Sequence, residues 1–126
     1  AAGGLKEGCE KVISGGPMMG FAMYTTDTPI TKTSSSILCM SKDEVSACEP
    51  TACINCGRCV DACPSRIIPS RLADFAERHD EEAFLKFNGL ECVECGSCSY
   101  VCPAKRQLKQ AIGSMRKTAL ANKKKK

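Results

Sequence analysis

The chain has 126 residues, a formal charge of +4 and no Trp. This length allows one ordinary domain or two small ones, and an aromatic content of 5% excludes a large aromatic core. No apolar run approaches the ~18 residues that a bilayer-spanning helix requires. The charge is uneven. Residues 104–126 hold nine Lys or Arg and no acid, giving +9, whereas residues 1–103 sum to −5. The basic end closes on Lys123-Lys124-Lys125-Lys126. Its plain reading is a solvated, frayed tail; its sharper one is contact with an anionic membrane surface or an acidic partner.

The first ~47 residues are rich in Gly, from Gly3 to Gly20. Lys11-Val12-Ile13-Ser14 reads as a short strand stopped by Gly15-Gly16-Pro17. Thr25 to Thr31, with Pro29, suits a loop or an edge strand. Ser36 to Met40 is a second strand. Two or three short strands are marginal as a free-standing fold.

From Glu49 the character changes. Residues 53–64 read Cys-Ile-Asn-Cys-Gly-Arg-Cys-Val-Asp-Ala-Cys-Pro, and residues 92–103 read Cys-Val-Glu-Cys-Gly-Ser-Cys-Ser-Tyr-Val-Cys-Pro. Every Cys, the Gly and the Pro recur at an offset of 39, which makes an internal repeat. In the spacer, Pro69 can open a helix with Leu72, Phe75 and Ala76 on one face. Asp80 can cap a second helix carrying Ala83, Phe84 and Phe87 and stopped by Asn88-Gly89. Beyond Pro103, Leu108, Ala111, Ile112 and Met115 mark another helical face. The cysteine region is therefore expected to be mainly helical.

Eleven cysteines in 126 residues suggest either a disulfide framework or a metal framework. The odd count, the absence of a visible secretory signal and the tight clustering of eight of them favour metal, although the chain does not begin with Met. Each run has the spacing C-x2-C-x2-C-x3-C-P. Three cysteines at steps of three let one loop wrap a cubane cluster from three sides. Gly57 and Gly96 let the backbone approach sulfide. The fourth Cys sits where the chain turns helical, and in two-cluster ferredoxins it ligates the other cluster. The expected ligands are thus Cys53, Cys56, Cys59 and Cys102 on one [4Fe–4S] cluster, and Cys92, Cys95, Cys98 and Cys63 on the second. Zinc usually pairs two C-x2-C knuckles over a longer separation, often with His; here the one His is His79, in the spacer. Cys9, Cys39 and Cys48 fit no ligand pattern and are expected as buried free thiols. No catalytic constellation stands outside the cysteines, so electron relay is the economical reading.

The longer context resembles one family. Ile13-Ser14-Gly15-Gly16-Pro17-Met18-Met19-Gly20, then Asp27-Thr28-Pro29-Ile30-Thr31-Lys32, then the two cysteine runs, are similar in order to the RnfC family, which supplies one subunit of Rnf-type (Rsx) ion-translocating electron transport complexes. The resemblance covers roughly residues 10–115, and Gly-Gly-Pro-Met-Met-Gly is its most discriminating piece. Read on its residues alone, that hexapeptide is a tight turn with two Met for packing.

The resemblance implies a peripheral subunit on the cytoplasmic side of the cell membrane, in a complex that couples ferredoxin:NAD electron flow to Na⁺ or H⁺ movement. It implies other membrane subunits as partners, with ferredoxin or NADH as redox partner. FMN and NADH sites would lie in an upstream domain absent from this chain. The expected class is α+β: residues 1–47 as the tail of a β-grasp-like (SLBB) segment, 48–116 as a helical two-cluster ferredoxin-like domain, and 117–126 as a flexible basic tail. Two other readings compete. One is the iron–sulfur subunit of another oxidoreductase, of heterodisulfide reductase-like or glycolate oxidase-like type. The other is a zinc-stapled module using its basic tail on nucleic acid, against which the lack of aromatic interleaving argues.

Overall fold

A computed structural model describes residues 3–124 and divides the chain into two compact units, residues 1–49 and 50–126. The first unit is a three-stranded antiparallel sheet in the order β2-β1-β3, with β1 Lys11–Ser14, β2 Phe21–Met23 and β3 Ile37–Met40. Ile13 lies opposite Ala22 on one side and Leu38 on the other, and it is the buried residue of the sheet. Two strands fall where the β-branched runs place them. The third, β2, is only three residues long and leaves too little pattern to read. The Thr25–Thr31 stretch forms loop.

The Gly-Gly-Pro-Met-Met-Gly hexapeptide is the connection between β1 and β2. Gly15 has a φ of 101°, and a Cβ on Gly20 would stand 2.6 Å from both the Gly16 carbonyl oxygen and Ile13 Cγ2. The Gly20 N–H donates to that same carbonyl at 2.8 Å. The tight turn therefore needs its glycines. Its methionines do not pack as expected, for Met18 and Met19 are 42% and 60% exposed. Lys11 Nζ holds Asp43 at 2.7 Å, tying the end of the unit to β1 and depressing the Asp43 pKa through that hydrogen bond.

The second unit is helical: α1 Arg58–Asp61, α2 Pro69–Glu77, α3 Glu81–Lys86, α4 Ser97–Tyr100 and α5 Leu108–Lys124, with a 3-10 turn at Gly89–Glu91. Local signals set the ends of the spacer helices. Pro69 occupies the first turn of α2, where no N–H is needed. His79, at φ 56°, ends α2: its N–H reaches the Ala76 carbonyl and that of Asp80 reaches Phe75, which is a Schellman pattern. The Asp80 carboxylate then accepts from the Ala83 N–H at 2.9 Å and caps α3, and left-handed Asn88 stops it. α5 continues through Lys124, so residues 117–124 are helix where the sequence suggested a flexible tail; Lys125 and Lys126 lie outside the described residues.

The repeat seen in the sequence is also a repeat of backbone. At the offset of 39, α1 corresponds to α4, and the start of α2 to the start of α5. Asn55 and Glu94 have φ of 55° and 54°, Gly57 and Gly96 of 78° and 83°, and Arg66 and Lys105 of 53° each. Four of these six are not glycine, so the two loops hold the same uncommon turns against a steric preference. Corresponding helices pack on each other, α1 on α4 and α2 on α5, while α3, from the spacer, packs on α2 and α5. The core is Ile67, Leu72, Ala73, Ala76, Phe84, Leu108, Ile112 and Met115, joined by the buried Cys98. Among the described residues no helix is long and apolar enough to cross a membrane.

Candidate metal centre

The eight paired cysteines gather into two recesses, and neither recess draws on one run alone. Cys53, Cys56, Cys59 and Cys102 line the first, with Leu108, Ser70 and Arg106 in its wall. Cys63, Cys92, Cys95 and Cys98 line the second, with Ile67, Pro69, Ile112, Glu94 and Lys109. About 380 Å³ and 340 Å³, respectively, are free of protein atoms. The mixing follows from the helices. α1 and α4 pack together, and Cys63 and Cys102 sit just beyond their last residues, so each fourth cysteine is carried across to the loop of the other repeat.

The thiol environments fit a multi-atom centre. Among the described residues, no three His, Cys, Asp or Glu side chains converge closely enough to hold one metal ion. The cysteines stand instead around the walls of a partly apolar space. In the second loop, left-handed Glu94 aims its N–H at Cys92 Sγ, 3.4 Å away. Such an N–H stabilises a thiolate that carries charge. Cys95 Sγ lies 3.5 Å from Ser97 Oγ, and hydrogen bonding from the Ser97 hydroxyl and main chain holds this thiol below its ordinary pKa. Burial acts the other way on its neighbours. It raises the Cys92 thiol and pushes Cys98 up to about 11. A bare thiolate is costly there, so a bound cation must displace the proton. The donor set, all thiol, suits soft metal and iron–sulfur chemistry.

The remaining cysteines behave differently from expectation. Cys9 is half-buried, and Cys39 and Cys48 are exposed, so they are not the buried thiols the sequence suggested. All three belong to the β unit, whose core is too small to cover them. Sequence reasoning missed two ion-pair groups beside the recesses. Arg106 donates to Asp74 at 2.9 Å and to Glu77 at 2.8 Å, and its guanidinium is thereby held still more firmly in its charged form. Arg116 donates through Nη1 to Glu94 at 3.1 Å and through Nε to the Leu90 carbonyl at 3.2 Å. Neither pairing has a sequence signal, because each joins residues more than twenty positions apart.

Two matched four-thiol recesses, built from one repeated turn, define a helical iron–sulfur protein of the dicluster type. In agreement, the 4Fe–4S dicluster domain family matches residues 52–106. The relatives are more particular. The RnfC subunit of the Na(+)-translocating ferredoxin:NAD(+) oxidoreductase complex of Acetobacterium woodii is 43% identical over 98% of this chain and 28% of its own length. The corresponding subunit of the proton-translocating ferredoxin:NAD(+) oxidoreductase complex of Clostridium ljungdahlii is 52% identical over 87% of this chain and 24% of its own. That of the ion-translocating oxidoreductase complex of Methanosarcina acetivorans is 46% identical over 89% and 25%. The chain belongs to this RnfC family and spans about a quarter of the length of the relatives it matches.

Proposed function

We propose that this chain relays electrons through two [4Fe–4S] centres within an Rnf-type complex that couples ferredoxin:NAD electron flow to ion translocation. Cys53, Cys56, Cys59 and Cys102 would hold the first centre, and Cys92, Cys95, Cys98 and Cys63 the second. The observation that carries this reading is the crossing of the fourth cysteines into the opposite recess. A bound [4Fe–4S] group accepts and releases one electron at a time. The protein's part is to hold two such groups side by side on one packed helix pair, to donate N–H groups to the sulfurs, and to exclude water from the second recess with Ile67, Pro69 and Ile112.

The three-stranded unit fits the tail of an SLBB-like β segment. FMN and NADH belong, in this reading, to an upstream part of the subunit beyond this chain. The subunit sits peripherally on the cytoplasmic face of the cell membrane, against other subunits of the complex. The relatives' names support this over a heterodisulfide reductase-like or glycolate oxidase-like subunit, and over a zinc module.

Analysis of anaerobically purified protein for iron, sulfide and zinc tests the reading. Two centres require about eight iron and eight sulfide per chain, with EPR lines broadened by mutual coupling after reduction. Zinc without sulfide refutes it.

A further inference from the structure

The two recesses are copies in backbone but not in exposure. Every residue from Thr51 to Arg58 is exposed, including Cys53, Cys56 and Gly57. At the corresponding positions of the second loop, Cys92 and Cys95 are half-buried and Gly96 is buried. Of the four cysteines in the second recess none is exposed, and Cys98 is buried. An open groove lined by Pro50, Ala52, Asp74, Glu77 and Gln110 also runs up to Cys53.

The difference has a cause in α5. Where α2 stops after 9 residues, α5 runs for 17. Its Gly113 comes so near the second loop that a Cβ there would lie 3.0 Å from Glu94 Oε2. One turn on, Arg116 grips Glu94 and the Leu90 carbonyl, clamping the loop to the helix. At the offset of 39, the residues of α2 matching Gly113 and Arg116 are Asp74 and Glu77. Both turn instead to Arg106, and Asn55 stands where Glu94 would be. The first loop therefore has no matching strap. The wall residues diverge in the same sense, since Arg106 of the first recess corresponds to the apolar Ile67 of the second.

We propose that the recess of Cys53, Cys56, Cys59 and Cys102 is the point of exchange with an external one-electron carrier, and that the other recess is an interior relay closed by the Arg116–Glu94–Leu90 clamp. The proposal rests on the two-centre reading above. Electron transfer falls steeply with distance, so a carrier meeting the Cys53–Cys56 edge exchanges one electron there first, and that electron passes to or from the interior recess. Exposure also tunes the potential of such a centre, so the two repeats are not interchangeable.

The test is relaxation of the EPR signals of reduced protein by a soluble dysprosium chelate, on material first shown to contain about eight iron. Serine substitutions Cys56→Ser and Cys95→Ser assign each signal to its recess. The chelate is expected to enhance relaxation of the first signal several-fold more than the second. Equal enhancement, or the reverse, overturns the proposal. Pulse alkylation during slow iron chelation provides a readout without variants: Cys53 and Cys56 should be labelled before Cys92 and Cys95, and simultaneous labelling counts against it. Arg116→Ala should bring the second signal's response towards the first, and an unchanged response removes the clamp from the account. Protein without iron and sulfide would instead defeat the two-centre reading itself.

Discussion

Replacing Phe84 by Ala tests whether the spacer helix α3 sets the start of the second cysteine loop. Phe84 is fully buried, packed among α2, α5 and the 3-10 turn, and that turn leads directly into Cys92. Gly89 sits so tightly on the ring that any Cβ there would collide with it. Truncating a fully buried Phe costs about 3–5 kcal/mol, the upper end applying where the surroundings cannot collapse into the cavity. Collapse is hindered here because α3 is only six residues long and is fixed at both ends, by the Asp80 cap and by left-handed Asn88. For a unit of this size each kcal/mol shifts the thermal midpoint by about 4–8 °C. A drop of at least ~12 °C in apparent midpoint is therefore expected, followed anaerobically by far-UV circular dichroism at one fixed scan rate. Iron should also leave the second recess sooner than in the parent protein. A shift below ~5 °C with unchanged iron loss would refute the reasoning.

Other perturbations follow from the same geometry. Gly89→Ala should destabilise by about 1–3 kcal/mol through overpacking against Phe84, read as a lower urea midpoint at constant slope. Asp80→Ala removes the side-chain cap on α3 and should cost about 1 kcal/mol, which denaturant titration resolves; no measurable loss would mean that water replaces the cap without penalty. Cys63→Ser should perturb the EPR signal that Cys95→Ser also perturbs, and Cys102→Ser the signal of Cys56→Ser; the opposite pairing would reject the crossing of the fourth ligands. Stripping iron with a chelator should leave residues 50–107 poorly ordered, seen as loss of amide-exchange protection, because binding and folding are coupled in small metallodomains.

The sequence by itself carried most of the helical unit. Pro69, Asp80 and Asn88-Gly89 act within one helical turn of where they stand, so their effects on α2 and α3 were readable locally. The repeat at an offset of 39 was likewise open to inspection, and with it the eight cysteines that line the two recesses. Readings that depended on distant packing fared worse. The exposure of Met18, Met19, Cys39 and Cys48 depends on how little core the β unit provides, and no local pattern reports that. The helical course of residues 117–124 depends in part on Ala119, buried in α5, and Asn122, which reaches Glu81 at the start of α3 at 2.7 Å. The inequality of the two recesses belongs to tertiary structure alone. Their sequences are nearly one motif written twice, yet the longer α5 lets Arg116 reach Glu94 across 22 positions, while Arg106 is held by Asp74 and Glu77. A motif specifies which atoms can bind a centre; how far water and partners can approach it is decided by whatever else the chain packs on top.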